Sequence, residues 1–263
     1  MPGDALRREP LRPLNGKRIV VTRPAEQAEP LVTAIENAGG IAVRFPVLAI
    51  NDVENDRPLH DIVERLDQYD LAVFVSPNAV RKALDILIAQ RSWPAKLRAV
   101  TVGKSSEREL ARYGITDIIA PSSRFDSEAL LELPELQVLN DQRVIIFRGN
   151  GGRELLGNTL KERGASVDYV ACYHRSLPQA DATPLLKLLE KNHLDAFVIT
   201  SSEGLRNLLT LLGETGIRLL KQTPMFMPHA RIAEEAHKLG LQCVVLTAPG
   251  DAGLLAGLTE YFV

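Results

Sequence analysis

Polar residues and glycines follow the buried, β-rich runs of this sequence, at the points where a strand gives way to a helical pattern. Backbone N–H groups at a helix start bind carboxylates or phosphates, and arginine adds a charge-assisted donor. The turns therefore predict an anion-binding site. Their candidate binding residues are Arg23, Ser76, Pro77, Asn78, Gly103, Ser105, Ser106, Arg148, Gly149, Gly151, Arg153, Ser201, Ser202, His229 and Arg231.

Each turn taken alone also has a purely structural explanation. Serine before a helix is usually an N-cap, proline is common in the first helical turn, and paired glycines form turns. The four arginines are harder to dismiss, because they gather at one predicted sheet edge of a protein whose formal charge is -2. Surface ion pairing is the alternative for each of them.

Familiar cofactor motifs do not account for these turns. The run Arg148–Arg153 follows a strand as a dinucleotide fingerprint would, but Glu154 occupies the third glycine position and would face a pyrophosphate. The sequence has no phosphate-binding Gly-x-x-x-x-Gly-Lys loop, nucleophile elbow or His-Glu-x-x-His helix. Its five histidines and two cysteines lack metal-ligand spacing. We therefore expect a site without metal or nucleotide.

Tyr173 is the candidate catalytic residue. It lies in a long β-rich run, Ser166–Arg175, where a tyrosine is more often part of a half-buried core. Being neutral at pH 7, a phenol near a ligand has a proton to donate to a leaving group.

Composition excludes several classes of protein. The chain has 263 residues, 45% of them apolar, with 31 basic and 33 acidic residues, so no overall field attracts nucleic acid or a membrane surface. No apolar run approaches the length of a membrane span, about 18 residues. The start, Met1–Pro10, reads as a polar leader without a secretory apolar region. With two cysteines, Cys172 and Cys243, we expect a reduced, cytoplasmic protein.

Strand runs alternate with helical patterns, which predicts an α/β fold with parallel sheets flanked by helices. The predicted helices include Glu26–Ala38, Asn78–Ala89 and Arg231–Leu239. Two runs of about ten residues, Ile41–Ile50 and Ser166–Arg175, read as long strands that also connect two bodies.

The sequence repeats itself at a shift of 125 residues, which indicates an internal duplication and two similar α/β halves. The superposed pieces are Arg18–Arg23 on Arg143–Arg148, Glu29, Leu31 and Gly39 on Glu154, Leu156 and Gly164, Asp70–Ser76 on Asp195–Ser201, and Arg81 and Leu84 on Arg206 and Leu209. From the sequence alone, each repeat either forms its own domain or exchanges pieces with the other.

From about Lys17 to Leu258 the chain resembles the uroporphyrinogen-III synthase family. Each motif is weakly specific alone, and their order and spacing carry the resemblance. The pieces that carry it are Val20–Pro24, Phe74–Val80, Val102-Gly103 with the following serines, Phe147–Leu156, Val170–Tyr173, Thr200–Ser202 and Pro228–Ala233. Some members carry a threonine-rich helix start where this chain has His229–Ile232, which would make the site here more cationic.

The resemblance implies two α/β domains joined by a two-stranded linker. Domain 1 would be discontinuous, residues 1–46 and 177–263; domain 2 would be 51–171; and the linker strands would be 47–50 and 172–176. The implied reaction is cyclisation of hydroxymethylbilane to uroporphyrinogen III, with loss of water and inversion of the last ring. Tyr173 matches the tyrosine that the family places near the leaving hydroxyl.

Further expectations follow from the resemblance. No metal or organic cofactor is expected, and the partner is a linear tetrapyrrole held in a gap dividing two lobes, with no nucleic acid and no membrane. We expect a monomer. Two rival functions are a non-enzymatic two-domain binding protein of the periplasmic type and a nucleotide-sugar transferase, although no diphosphate ligand set is evident for the latter.

Overall fold

The computed structural model describes residues 12–151 and 154–263, and its contacts divide the chain into two units. The discontinuous unit comprises the chain up to Ala49 together with Ser176–Val263, and the middle unit is Ile50–Arg175. The predicted leader, Met1–Pro10, lies outside the described residues. In the part of the chain that is described, no helix has the length and apolar character needed to span a membrane.

The strands, in chain order, are β1 (Arg18–Val21), β2 (Ile41–Arg44), β3 (Ala49–Asp52), β4 (Leu71–Phe74), β5 (Arg98–Thr101), β6 (Ile118–Ile119), β7 (Arg143–Gly149), β8 (Ser166–Ser176), β9 (Ala196–Val198), β10 (Met225–Met227) and β11 (Val244–Leu246). The α-helices are α1 (Ala25–Asn37), α2 (Arg57–Arg65), α3 (Pro77–Gln90), α4 (Lys104–Arg112), α5 (Ser127–Leu131), α6 (Leu155–Glu162), α7 (Thr183–Glu190), α8 (Ser202–Leu220), α9 (Ala230–Lys238) and α10 (Gly250–Phe262).

The discontinuous unit is built on a five-stranded sheet in the order β11-β10-β9-β1-β2, with every neighbouring pair parallel. Its central strands are buried on both faces, because helices cover each side. One apolar core joins the sheet to α1 and α10, and the other joins it to α7, α8 and α9. The helices thus lie on both faces of a parallel sheet, which is a doubly wound arrangement of the predicted α/β class.

The middle unit has a six-stranded sheet in the order β3-β8-β7-β4-β5-β6, and the pairs from β8 to β6 are parallel. Helices α2, α3 and α4 cover one face, and α5 and α6 cover the other. Strands β8-β7-β4-β5-β6 repeat the order of the other unit, with the β7-α6-β8 piece now at the end of the unit's sequence rather than its start. The α/β class with helix-flanked parallel sheets is confirmed.

One of the two predicted long strands is wrong. The run Ile41–Ile50 is split into β2 and β3 by residues 45–48, because Pro46 has no N–H to donate to a sheet ladder. Its counterpart in the second repeat is continuous, since β8 runs unbroken for 11 residues. The predicted linker 172–176 forms the end of β8, and Cys172 and Tyr173 belong to the core of the middle unit.

The 125-residue repeat has a direct structural meaning. In the discontinuous unit the Asp195 carboxylate accepts a 2.8 Å hydrogen bond from the backbone N–H of Arg18. In the middle unit the Asp70 carboxylate accepts one of 2.8 Å from the N–H of Arg143. Each bond joins one repeat to the other, so each unit combines a strand–helix–strand piece of one repeat with the later strands of the other.

This pairing gives a first prediction. Asp195→Ala and Asp70→Ala each remove the acceptor of a strand-starting N–H, and each should lower the free energy of unfolding by about 1 kcal/mol. Asparagine at either position keeps an oxygen acceptor and should restore most of the loss. Urea unfolding of the four variants measures this, and an unchanged midpoint in both alanine variants would contradict it.

Candidate functional site

Each sheet has one place where its strand order reverses, and several of the predicted binding residues lie beside it. In the discontinuous unit this point lies between β1 and β9, which lead to Arg23 and Ser201. In the middle unit it lies between β7 and β4, which lead to Gly149 and Ser76. The carboxyl edge at such a reversal is the usual ligand position in doubly wound sheets, because the helices that follow leave to opposite faces.

The Tyr173 hydroxyl lies 3.0 Å from Ser76 Oγ at this edge of the middle unit. Ser76 is the N-cap of α3, and its Oγ accepts a hydrogen bond from the Ala79 N–H at 3.1 Å. The tyrosine side chain is only 1% exposed and packs in the core. Its hydroxyl is therefore held at the turn after β4 while the ring is fixed behind it.

A β-bulge gives Tyr173 this orientation. The register of β7 with β8 shifts by one residue at Arg148/Gly149, so that Gly149 lies opposite Tyr173. As a result Cys172 and Tyr173 both enter the same core, although adjacent strand residues normally face opposite ways. A Cβ at Gly149 would lie 2.6 Å from Tyr173 Cε2, so this position requires glycine.

Equivalent helix starts in the two units are capped in the same way. Ser201 caps α8 by accepting from the Gly204 N–H at 2.9 Å, as Ser76 does for α3. The structural reading of these two serines as N-caps is therefore confirmed. By contrast, α4 begins after Gly103 and α9 after His229, and neither residue supplies a side-chain cap bond. The first turns of α4 and α9 thus keep N–H groups available for an anion.

Two of the predicted arginines form ion pairs within their own unit. Arg148 Nη1 lies 3.0 Å from Glu154 Oε1, and its guanidinium stacks 5.1 Å from the ring of Tyr169. Arg23 Nη1 lies 2.5 Å from Asp251 Oδ1. Arg23 and Arg148 therefore form the ion pairs that are the alternative explanation for the predicted arginines. An ion-paired arginine still retains N–H donors for a ligand. The predicted Arg153 lies outside the described residues.

The turn after β10 carries its positive charge on Arg231. Partial desolvation, and then the neighbouring Arg231, lower the pKa of His229, which favours the neutral imidazole at pH 7. Arg231 is exposed at the start of α9. The extra cationic character expected of His229–Ile232 therefore comes from Arg231 alone.

The remaining predicted residues lie on the same edges with differing access. Pro77 and Asn78 form the first turn of α3, and the buried Asn78 accepts from Arg81 Nη2 at 2.6 Å. Ser105 is exposed on α4, whereas Ser106 is buried. Ser202 is the first residue of α8. The side chains of Asn78 and Ser106 are therefore less accessible than that of Ser105.

A cavity of about 170 Å³ opens on the other face of the middle unit's sheet, beside the guanidinium of Arg148 and Gly151. Three of its lining residues, Ser127, Tyr169 and Arg175, are missing from the sequence prediction. Ser127 lies on α5, a helix that the hydrophobic pattern does not reveal. A signal for the other two exists, since both belong to the same predicted strand as Tyr173.

No cluster of three or more His, Cys, Asp or Glu side chains suited to a metal occurs among residues 12–151 and 154–263. Both cysteines are free thiols, and burial raises the pKa of Cys172 to about 12. That thiol therefore stays protonated and packs as a small apolar side chain.

The fold defines a two-unit, doubly wound α/β protein in which the carboxyl edge of each sheet carries a helix start without a side-chain cap bond. A family described as "Uroporphyrinogen-III synthase HemD" matches residues 29–256. The chain therefore belongs to the uroporphyrinogen-III synthase family.

Individual relatives agree with the family match. The chain is 32% identical to a uroporphyrinogen-III synthase of Escherichia coli over 89% of its length and 96% of the relative's. The figure for a Salmonella typhimurium synthase is 33%, with the same coverage. Among solved structures, a mutant Thermus thermophilus uroporphyrinogen III synthase has the same fold, with a TM-score of 0.64 at 19% identity, covering 93% of this chain and 98% of that one.

Proposed function

We propose that the chain converts hydroxymethylbilane to uroporphyrinogen III at the carboxyl edge of its middle unit, with Tyr173 as the general acid. The family match over residues 29–256 carries the proposal for the reaction. The contact of the Tyr173 hydroxyl with Ser76 supports the choice of acid, because it places a phenolic proton beside the turn where a ligand would bind.

The first step is loss of the hydroxyl group from the linear tetrapyrrole. The pyrrole nitrogen pushes its electron pair toward the ring-bound CH2 as the C–O bond breaks, and the Tyr173 proton joins the departing oxygen to form water. The resulting azafulvenium cation then returns its N–H proton to the Tyr173 phenolate, which leaves a neutral, reactive azafulvene and regenerates the acid. Ser76 Oγ accepts one bond from Ala79, so its own O–H is left to donate to the phenolic oxygen. That donation stabilises the negative charge that develops on Tyr173 as the proton leaves.

The second task is to direct ring closure. Free azafulvene closes without help to the symmetric type I isomer, so the protein must hold the chain in the geometry that inverts the last ring, which is an effect of orientation. The substrate carries many carboxylates, and we assign one of them to the uncapped first turn of α4 beside Gly103 and Ser105. The discontinuous unit offers the equivalent turn at α9, with Arg231 beside it.

The test is to incubate the purified protein with hydroxymethylbilane, oxidise the products and separate the porphyrin isomers by chromatography. We expect type III to predominate, whereas a heat-denatured sample should give type I through spontaneous closure. Type I alone from the native protein would contradict the proposal. Under the same conditions, nucleotide sugars should neither bind nor be consumed, which separates the synthase from the rival transferase.

A further inference from the structure

We propose that Phe125 is a substrate-binding residue that packs against one pyrrole ring of the linear tetrapyrrole; this inference rests on the proposed function. Phe125 lies in the segment that joins β6 to α5 in the middle unit, and it is 46% exposed. The sequence has seven phenylalanines. Five are buried, and Phe125 is the most solvent-exposed of the phenylalanines that the structure describes.

The position of Phe125 links it to the candidate site. A Cβ at Gly103, the N-cap of α4, would lie 3.8 Å from the Cβ of Phe125, so the aromatic ring stands beside the uncapped helix start. Gly103 follows β5, and β5 pairs with β4, the strand that leads to Ser76. Neighbouring strands are about 4.8 Å apart. A linear tetrapyrrole with one end at Tyr173 and Ser76 is therefore long enough for another of its pyrrole rings to lie over the turn after β5.

The backbone around Phe125 is held in place without burying its ring. Arg124 on one side donates to Asp126 at 3.1 Å and to Glu132 at 2.7 Å. Asp126 on the other side caps α5 by accepting from the Ala129 N–H at 2.7 Å. Because the flanking residues are fixed by their own bonds, little ordering entropy remains to be lost when a ring packs on Phe125.

The charges beside the ring match a pyrrole that carries carboxylate arms. Lys104 Nζ lies 5.9 Å from the centre of the Phe125 ring and 2.9 Å from both carboxylate oxygens of Glu107. The Phe125 ring, the Lys104–Glu107 ion pair and the N–H groups of the first turn of α4 thus lie together at the start of α4. A pyrrole with acidic side chains fits this combination, since its ring packs on Phe125 while its carboxylate meets Lys104 and the helix start.

The test compares Phe125→Ala with Val138→Ala in the isomer assay. Val138 is a matched control, because it is 70% exposed in the same unit and lies five residues before β7, at the opposite edge of the sheet. Loss of one aromatic contact should raise KM for hydroxymethylbilane about fivefold to tenfold and leave kcat nearly unchanged. Phe125→Trp, which keeps a ring, should stay close to the original KM. The melting temperature of each variant should remain unchanged, since the side chain is exposed.

A double substitution sharpens the test. Lys104→Met should also raise KM, and its effect combined with Phe125→Ala should be less than the product of the two, because both groups contact the same pyrrole. Equal KM values for Phe125→Ala and Val138→Ala would overturn the inference. If the unmodified protein forms no type III isomer, the proposed function itself fails, and the two failures are therefore distinguishable.

Discussion

Tyr173→Phe should slow formation of the type III isomer about 100-fold or more, the usual contribution of a positioned general acid. Only the hydroxyl is lost, and the ring continues to fill the core between Gly149 and its neighbours. Ser76 keeps its bond from the Ala79 N–H, so the α3 cap survives. The free energy of unfolding should therefore fall by only about 1 kcal/mol, the value of one hydrogen bond.

Steady-state kinetics and product analysis measure this effect. KM should change little, because the substrate's carboxylates bind elsewhere on the edge, and the fraction of type I should rise as spontaneous closure competes. Unchanged turnover would remove Tyr173 from the role of acid.

Tyr69→Phe is the matched control. This tyrosine is also buried in the middle unit, and its hydroxyl donates to Asp168 at 2.6 Å just before β4 begins. Burial and that carboxylate raise its pKa to about 12. The control should cost more stability than Tyr173→Phe, about 1.5–3 kcal/mol for a bond to a charged group, and yet leave the rate of isomer formation unchanged.

The strand–helix alternation was predictable because most strands are buried on both faces and read as continuous apolar runs. Helices α2, α5, α7 and α10 are harder to foresee. In α10 the two interior glycines, Gly253 and Gly257, lower the intrinsic helix propensity. Their value appears only in the fold, where a Cβ at Gly253 would lie 2.1 Å from the Ala248 carbonyl oxygen and one at Gly257 would lie 2.5 Å from Thr247 Cγ2.

In the candidate site, too, some features were predictable from the sequence and others appear only in the fold. Residue types at the turns identify the edge, and Ser76 and Ser201 cap helices as their position before a helical pattern indicates. The ion-pair partners of Arg23 and Arg148 differ in how far they lie from the arginine along the sequence. Glu154 is six residues from Arg148, whereas Asp251 is 228 residues from Arg23 and is brought beside it only by the sheet order. The bulge that turns Tyr173 into the core depends on the pairing of β7 with β8, and no single strand encodes it.

Gly149→Ala should be more damaging than Tyr173→Phe, both to stability and to activity. The new Cβ would lie 2.6 Å from Tyr173 Cε2 and 2.8 Å from Cζ. Because Tyr173 is only 1% exposed and is packed on all sides, its ring cannot easily move away. Overpacking of this kind costs about 1–3 kcal/mol of stability. It also moves the Tyr173 hydroxyl away from Ser76, so type III formation should fall at least as far as in Tyr173→Phe.

A double-mutant cycle with Gly149→Ala and Tyr173→Leu distinguishes two causes of lost stability: a steric clash with the Tyr173 ring and a general weakening of β7. In a Tyr173→Leu background the ring that meets the new Cβ is gone, so adding Gly149→Ala should cost much less stability than it does alone. Activity should stay low in both, because neither carries the phenol at its original place. Urea unfolding measures the first effect and isomer chromatography the second. An equal stability cost for Gly149→Ala in both backgrounds would show that the close approach of Gly149 to Tyr173 is not what fixes this residue as glycine.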